Sequence, residues 1–74
     1  MRYDLCLPWY WEYDGEFVHF VEQACREQGL TLWQITPDNL LESIQALYQG
    51  DRTFNTLLDR SQGEDRFLPI DHWA

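Results

Sequence analysis

The chain has no lysine: its five basic residues are all arginine. That absence excludes Schiff-base chemistry on a lysine amine and a lysine clamp on a phosphate. Neither a GxGxxG nor a GxxxxGK[ST] motif occurs, and the turn after the first apolar stretch reads PWYWEYDG. Those side chains are bulky where a phosphate-cradling loop must be small, so dinucleotide or nucleotide binding there is disfavoured. No apolar run reaches the length of about 18 residues that a membrane span needs. Arg2 and Asp4 interrupt the N-terminus and argue against a signal peptide. The two cysteines, Cys6 and Cys25, stand at neither CxxC nor zinc spacing. They read as reduced, buried, small apolar residues of a cytoplasmic protein, with a disulfide between them as the minor alternative.

Acidic and aromatic residues are abundant. Thirteen carboxylates against five arginines leave a net charge of −8, a field that repels a nucleic-acid backbone. The hydrophobic fraction is 45% and the aromatic fraction 16%, a composition that folds. With 74 residues the chain is one domain, or part of one. A core of this size is marginal, and such chains are often stabilised by association.

Taken in order, Arg2 to Leu7 reads as a strand with Tyr3, Leu5 and Leu7 on one face and Asp4 and Cys6 on the other. Pro8, lacking an N–H, is expected to end its ladder. The aromatic loop 8–13 follows, with two Trp and two Tyr within residues 9–13. Asp14 is expected to cap a helix over Gly15 to Gln28, with Phe17, Phe20, Val21, Ala24 and Cys25 as its apolar stripe and Gly29 as its stop. Leu30 to Ile35 reads as a strand apolar on both faces. Thr36 is expected to cap a second helix with Pro37 in its first turn and with Leu40, Leu41, Ile44, Leu47 and Tyr48 facing inward, ending at Gly50. Phe54 to Leu58 reads as a third strand, followed by Asp59-Arg60 and a polar loop. The remainder of 60–74 is irregular in expectation, with Phe67 to Ile70 as a fourth edge strand or a docked tail.

The order βαβαβ predicts a small α/β, Rossmann-like unit of three layers with a three-stranded parallel sheet. A strand apolar on both faces favours the order 2-1-3, which puts the two helices on opposite faces. The carboxyl end of such a sheet, at the switch point, is where open α/β folds bind ligands. Trp9, Tyr10, Trp11 and Tyr13 are expected to line that end together with Asp59 and Arg60. For the aromatics the competing roles are packing against the chain's own tail or a further domain, a ligand wall, and a dimer patch. For Asp59-Arg60 they are an internal ion pair or a bidentate clamp on a carboxylate or phosphate. His19 and His72 have no partners at metal spacing, so no metal site is expected. Glu12, Asp14 and Glu16 are better explained by capping and dipole complementarity than by general-acid chemistry.

The stretches YDLCLPWYWEYDGEFVHFVEQACREQGL, TPDNL and TLLDRSQGEDRFLPI together look like the N-terminal lobe that precedes the catalytic part of uncharacterised bacterial ATP-grasp ligases. The likeness covers nearly the whole chain; LPWYWEYD and LLDR are its most specific pieces. It implies a small parallel α/β lobe, residues 1–74, that helps bind a carboxylate or amine substrate and packs against ATP-binding lobes. The lysines that hold ATP and the Glu/Asn residues that hold Mg²⁺ come later in that family. The resemblance therefore implies a substrate-side lobe with no cofactor and no catalysis of its own. Trp9, Trp11, Tyr13, Asp59 and Arg60 are the positions it would carry over. The expected partners are ATP-grasp catalytic lobes or another protein chain. A small acidic module that forms a homodimer through its aromatic loop is the alternative.

Overall fold

The computed structural model describes all 74 residues, Met1–Ala74. Three strands, β1 (Arg2–Pro8), β2 (Leu32–Ile35) and β3 (Thr53–Leu57), form one parallel sheet in the order β2-β1-β3. Helix α1 (Gly15–Gln28) joins β1 to β2, and α2 (Leu40–Gln49) joins β2 to β3. A short helix, α3 (Leu68–Trp73), follows a 3₁₀ turn at Asp65–Phe67. The expected α/β class, parallel sheet and 2-1-3 order are therefore found. No helix is long and apolar enough to cross a membrane.

The sheet divides the apolar interior in two. Leu7 packs with Val18, Val21 and Cys25 of α1 on one face. Cys6, Trp33, Ile35 and Phe54 pack with Leu40 and Leu47 of α2, and with Phe67 and Ile70, on the other. Cys6 and Cys25 are both buried and free, in the two different clusters. Gly29 and Gly50 end α1 and α2 with φ of 70° and 80°, a left-handed conformation that other L-residues adopt at a cost.

Several local expectations are corrected. Pro8 does not end the ladder: it pairs with Ile35, and its carbonyl accepts the Arg60 N–H at 3.0 Å. Only a donor is missing at proline, so its acceptor still serves the neighbouring strand. Tyr3 packs with the Cys6 cluster rather than with Leu5 and Leu7. Asp4, between them, holds the β2 edge, accepting the Thr31 N–H at 2.8 Å and the Thr31 hydroxyl at 3.1 Å.

The second strand starts at Leu32, leaving Leu30 in the preceding turn and exposed. On α1 the buried stripe is Val18, Val21 and Cys25, with Phe20 67% exposed. On α2 it is Leu40, Ser43 and Leu47, with Leu41 80% and Tyr48 55% exposed. Thr36 does not cap α2. Asn39 Oδ1 accepts the Thr36 N–H at 2.8 Å and Asn39 Nδ2 donates to the Gln34 carbonyl at 3.0 Å. These bonds close a turn around Pro37-Asp38 and delay the helix to Leu40. Phe67 to Ile70 is no fourth strand. It enters α3 and docks beside α2, where Phe67 and Ile70 are fully buried and the Tyr48 hydroxyl donates to the Pro69 carbonyl at 2.8 Å.

Candidate functional site

Both segments singled out in the sequence meet at the carboxyl end of the sheet. Beyond Pro8 a further bridge joins Trp9 to Arg60, so the aromatic loop leaves β1 alongside the residues that follow β3. The loop then tightens into a 3₁₀ turn at Glu12–Asp14 and feeds α1.

Asp14 lies at the centre of this end. It is 3% exposed and makes no capping hydrogen bond. Its Oδ1 instead accepts from Arg60 Nη2 at 2.7 Å, and its Oδ2 from Gln62 Nε2 at 3.3 Å. A charged donor outcompetes the neutral N–H groups of the first helical turn, because charge-assisted hydrogen bonds are about twice as strong as neutral ones. Gln62 has φ of 57°, a left-handed backbone that costs about 1–2 kcal/mol outside glycine. The Arg60 guanidinium also lies over the Phe17 ring at 4.6 Å.

The expected Asp59–Arg60 ion pair is thus replaced by Asp14–Arg60, since consecutive residues after a strand point to different sides. Asp59 turns away and accepts the Ser61 N–H on Oδ1 at 2.8 Å. It neighbours Asp71 of α3, whose Oδ1 is buried without a donor. Burial first, then the Asp59 contact, pushes Asp71 up to about 6 from an ordinary 3.8. Burial acts to raise Asp59 too, but hydrogen bonding by Ser61, and then by Asp71, outweighs it and holds Asp59 below its ordinary value. Burial, aided by the nearby Asp59 charge, pushes the Cys6 thiol up to about 12, which leaves it protonated and unreactive.

The four loop aromatics separate into two pairs. Trp9 and Tyr10 are built into the fold. Trp9 Nε1 donates to Gln34 Oε1 at 3.1 Å, and the Trp9 ring packs toward the α1 side. Tyr10 stacks on Phe67 at 6.0 Å and carries the Arg66 guanidinium at 5.4 Å from its ring centre. Trp11 and Tyr13 turn outward, 47% and 74% exposed, and meet edge to face at 5.2 Å.

A cleft of about 390 Å³ opens between this loop and the turn after β2, lined by Trp9, Tyr10, Glu12, Thr36, Pro37 and Asp38. No group of three or more His, Cys, Asp or Glu is placed to hold a metal ion. No family model, curated protein or solved structure matches the chain.

The sequence marks this end of the sheet but not the roles of its residues. Asp14 stands where a helix cap is expected, and its partner Arg60 lies 46 positions away, a separation that leaves no local signal. Thr36-Pro37 carries the pattern of a helix start, yet the helix begins only at Leu40. The hint against the earlier start is Asn39, whose short amide can close a turn on its own backbone.

Proposed function

We propose that the chain is a non-catalytic docking lobe that presents the carboxyl end of its sheet to a protein partner. The observation that carries this reading is the exposed pair Trp11–Tyr13 beside an Arg60 whose Nη2 is already paired with Asp14. A substrate anchor needs a free guanidinium, whereas Arg60 is engaged with Asp14. Two solvent-facing aromatics on a braced loop have the composition of an interface anchor.

An ATP-grasp-type carboxylate–amine ligase supplies the most specific identity for the partner. In that reading its catalytic lobes cover the aromatic end and provide all the ATP chemistry. Support comes from the way the two most specific pieces of the resemblance, residues 7–14 and 57–60, bond to each other through the Trp9–Arg60 bridge and the Asp14–Arg60 pair. A homodimer through Trp11 and Tyr13 is the second reading, favoured by the small core of a 74-residue chain.

Light scattering tests docking, on the chain alone and mixed with ATP-grasp catalytic lobes from the same source. Wild type should associate in one of these settings, and Trp11→Ala/Tyr13→Ala should not. A wild-type chain that stays monomeric in both, or a double variant that associates equally well, overturns docking. Clear ATP turnover by the isolated chain overturns the non-catalytic assignment.

A further inference from the structure

The cleft between the Trp9–Glu12 loop and the Thr36–Asp38 turn has walls that are fixed before anything binds. The Trp9 indole is held by Gln34, and Tyr10 is held between Phe67 and Arg66. On the opposite side Asn39 ties the Pro37-Asp38 turn at both ends, to the Thr36 N–H and the Gln34 carbonyl. A preformed cavity avoids the ordering cost that a flexible loop would incur on binding. Its volume of about 390 Å³ is at the small end for ligand sites, enough for one long side chain.

The lining specifies what that side chain should be. Trp9, Tyr10 and Pro37 supply apolar and aromatic surface, and the only charges are the carboxylates of Glu12 and Asp38. A cation on an apolar stem satisfies both, since its head meets the carboxylates while its stem covers the apolar surface. The chain already places guanidinium groups on aromatic rings twice nearby, Arg66 over Tyr10 and Arg60 over Phe17. The net charge of −8 draws a basic partner and repels an acidic one.

We propose that this cleft receives an arginine side chain carried by an extended basic segment of a partner protein. The inference rests on the docking reading and adds the partner's chemistry: Trp11 and Tyr13 supply apolar contact, and the cleft beside them reads one arginine.

The test is an amide and indole NMR titration of the whole chain. The probe is a capped peptide of alternating glycine and arginine, with a peptide carrying glutamine for arginine as control. Shifts should centre on the Trp9 indole N–H and the amides of Tyr10, Glu12 and Asp38, and should weaken as salt screens the carboxylates. The Glu12→Gln/Asp38→Asn variant should lose about tenfold in affinity, since two surface ion pairs together approach 1.4 kcal/mol. Both residues are exposed, so the fold should tolerate the change. Diffuse shifts over the acidic surface, equal binding of the glutamine peptide, or undiminished affinity in the variant overturns the proposal. So do shifts at these amides that follow the chain's own concentration without peptide, which would place a second copy in the cleft. The two readings fail separately. Loss of docking in Trp11→Ala/Tyr13→Ala with no peptide bound anywhere refutes the arginine cleft alone. Peptide shifts at the cleft with no effect of Trp11→Ala/Tyr13→Ala on association refute the docking surface alone.

Discussion

Two groups of aromatic residues divide the work of this molecule. One is a row across the α2 side of the sheet. Tyr3 lies 5.5 Å from Trp33, Trp33 lies 6.4 Å from Phe54, and Phe54 lies 4.8 Å from Trp73. The other is the loop 9–13, half built in and half turned outward. The row takes one residue from each strand and one from α3, so it forms only when the whole chain has folded. The loop takes four residues from one turn, and its outer pair contacts solvent. Aromatics from distant positions build the row, whereas the clustered run splits: Trp9 and Tyr10 join the buried clusters, and Trp11 and Tyr13 are left free to contact something else. Clustering along the chain therefore marked the exposed pair only in its outer half.

The sharpest way to break the comparison is Phe54→Ala. Phe54 is 5% exposed and touches Trp33 on one side and Trp73 on the other. Truncating a buried phenylalanine costs about 3–5 kcal/mol. A 74-residue domain holds roughly 4–11 kcal/mol in all. Urea unfolding of this variant should show a much lower midpoint or no folded baseline, and α3 should lose its dock. A midpoint within experimental scatter of wild type would mean that the row contributes little to stability.

Local signals made the strand and helix order legible. The 3.6-residue and alternating patterns, with Gly29 and Gly50 as stops, sufficed for the parallel sheet and its β2-β1-β3 order. What escaped was set by contacts between distant positions. Phe20, Leu41 and Tyr48 fit an apolar stripe as well as Val18 and Ser43 do, and only the packed sheet decides which turn inward. The tail gave no helical period because α3 is only six residues long. Its anchors are single residues, Phe67 and Ile70, fitted to a surface that the tail sequence does not describe. The candidate site was legible in place but not in pairing, since a carboxylate before a helix looks like a cap until a guanidinium arrives from another strand.

Next in size is Asp14→Ala, which probes the polar brace beside the aromatic loop. Asp14 is 3% exposed, but its partner Arg60 keeps 40% of its side chain in water and can be rehydrated. The expected loss is therefore that of a charged hydrogen bond, about 1.5–3 kcal/mol, and less than that of a fully buried ion pair. Asp14→Asn keeps an acceptor for Gln62 and should lose less. Urea midpoints of the two variants check the order, and a larger loss for Asn would contradict it. If the brace also fixes the loop, the Trp11 and Tyr13 resonances should broaden in Asp14→Ala while those of Trp33 and Phe54 stay sharp.

A smaller effect depends on pH and acts where the inner row ends. Asp71 lies in α3, two residues before Trp73, and its carboxyl neighbours that of Asp59, just after β3. The His72 side chain is the other charge felt by Asp71, and it favours the ionised form. A carboxyl whose value rises on folding stabilises the protonated folded state. Its contribution is complete below about 3.8 and fades as pH rises through about 6. Asp59 works in the opposite sense: held below its ordinary value, it contributes above that value and loses the contribution as pH falls. Because the two neighbouring carboxyls titrate together, the observable is the difference between wild type and Asp71→Asn. That substitution should be close to neutral near the acid limit and stabilising above about pH 6, where it removes repulsion between two carboxylates. Urea midpoints across this range decide it, and a difference that does not change with pH rules out the coupling of the two carboxyls.

The smallest expected change in stability is the one that bears most on function. Trp11 and Tyr13 contact each other at 5.2 Å but belong to neither buried cluster. Replacing both with alanine removes one exposed aromatic pair, and surface changes away from special features shift stability by about 0.5 kcal/mol or less. Such a result would separate the loop's outer half from its inner half, where Tyr10→Ala removes the stack on the fully buried Phe67 and should cost more. The fold then makes little use of two of its largest side chains, which leaves them available for contact with something else. Association should fall in Trp11→Ala/Tyr13→Ala while the unfolding midpoint holds. If the midpoint falls together with association, the pair belongs to the core after all, and the division between dispersed and clustered aromatics fails at the loop where it matters most.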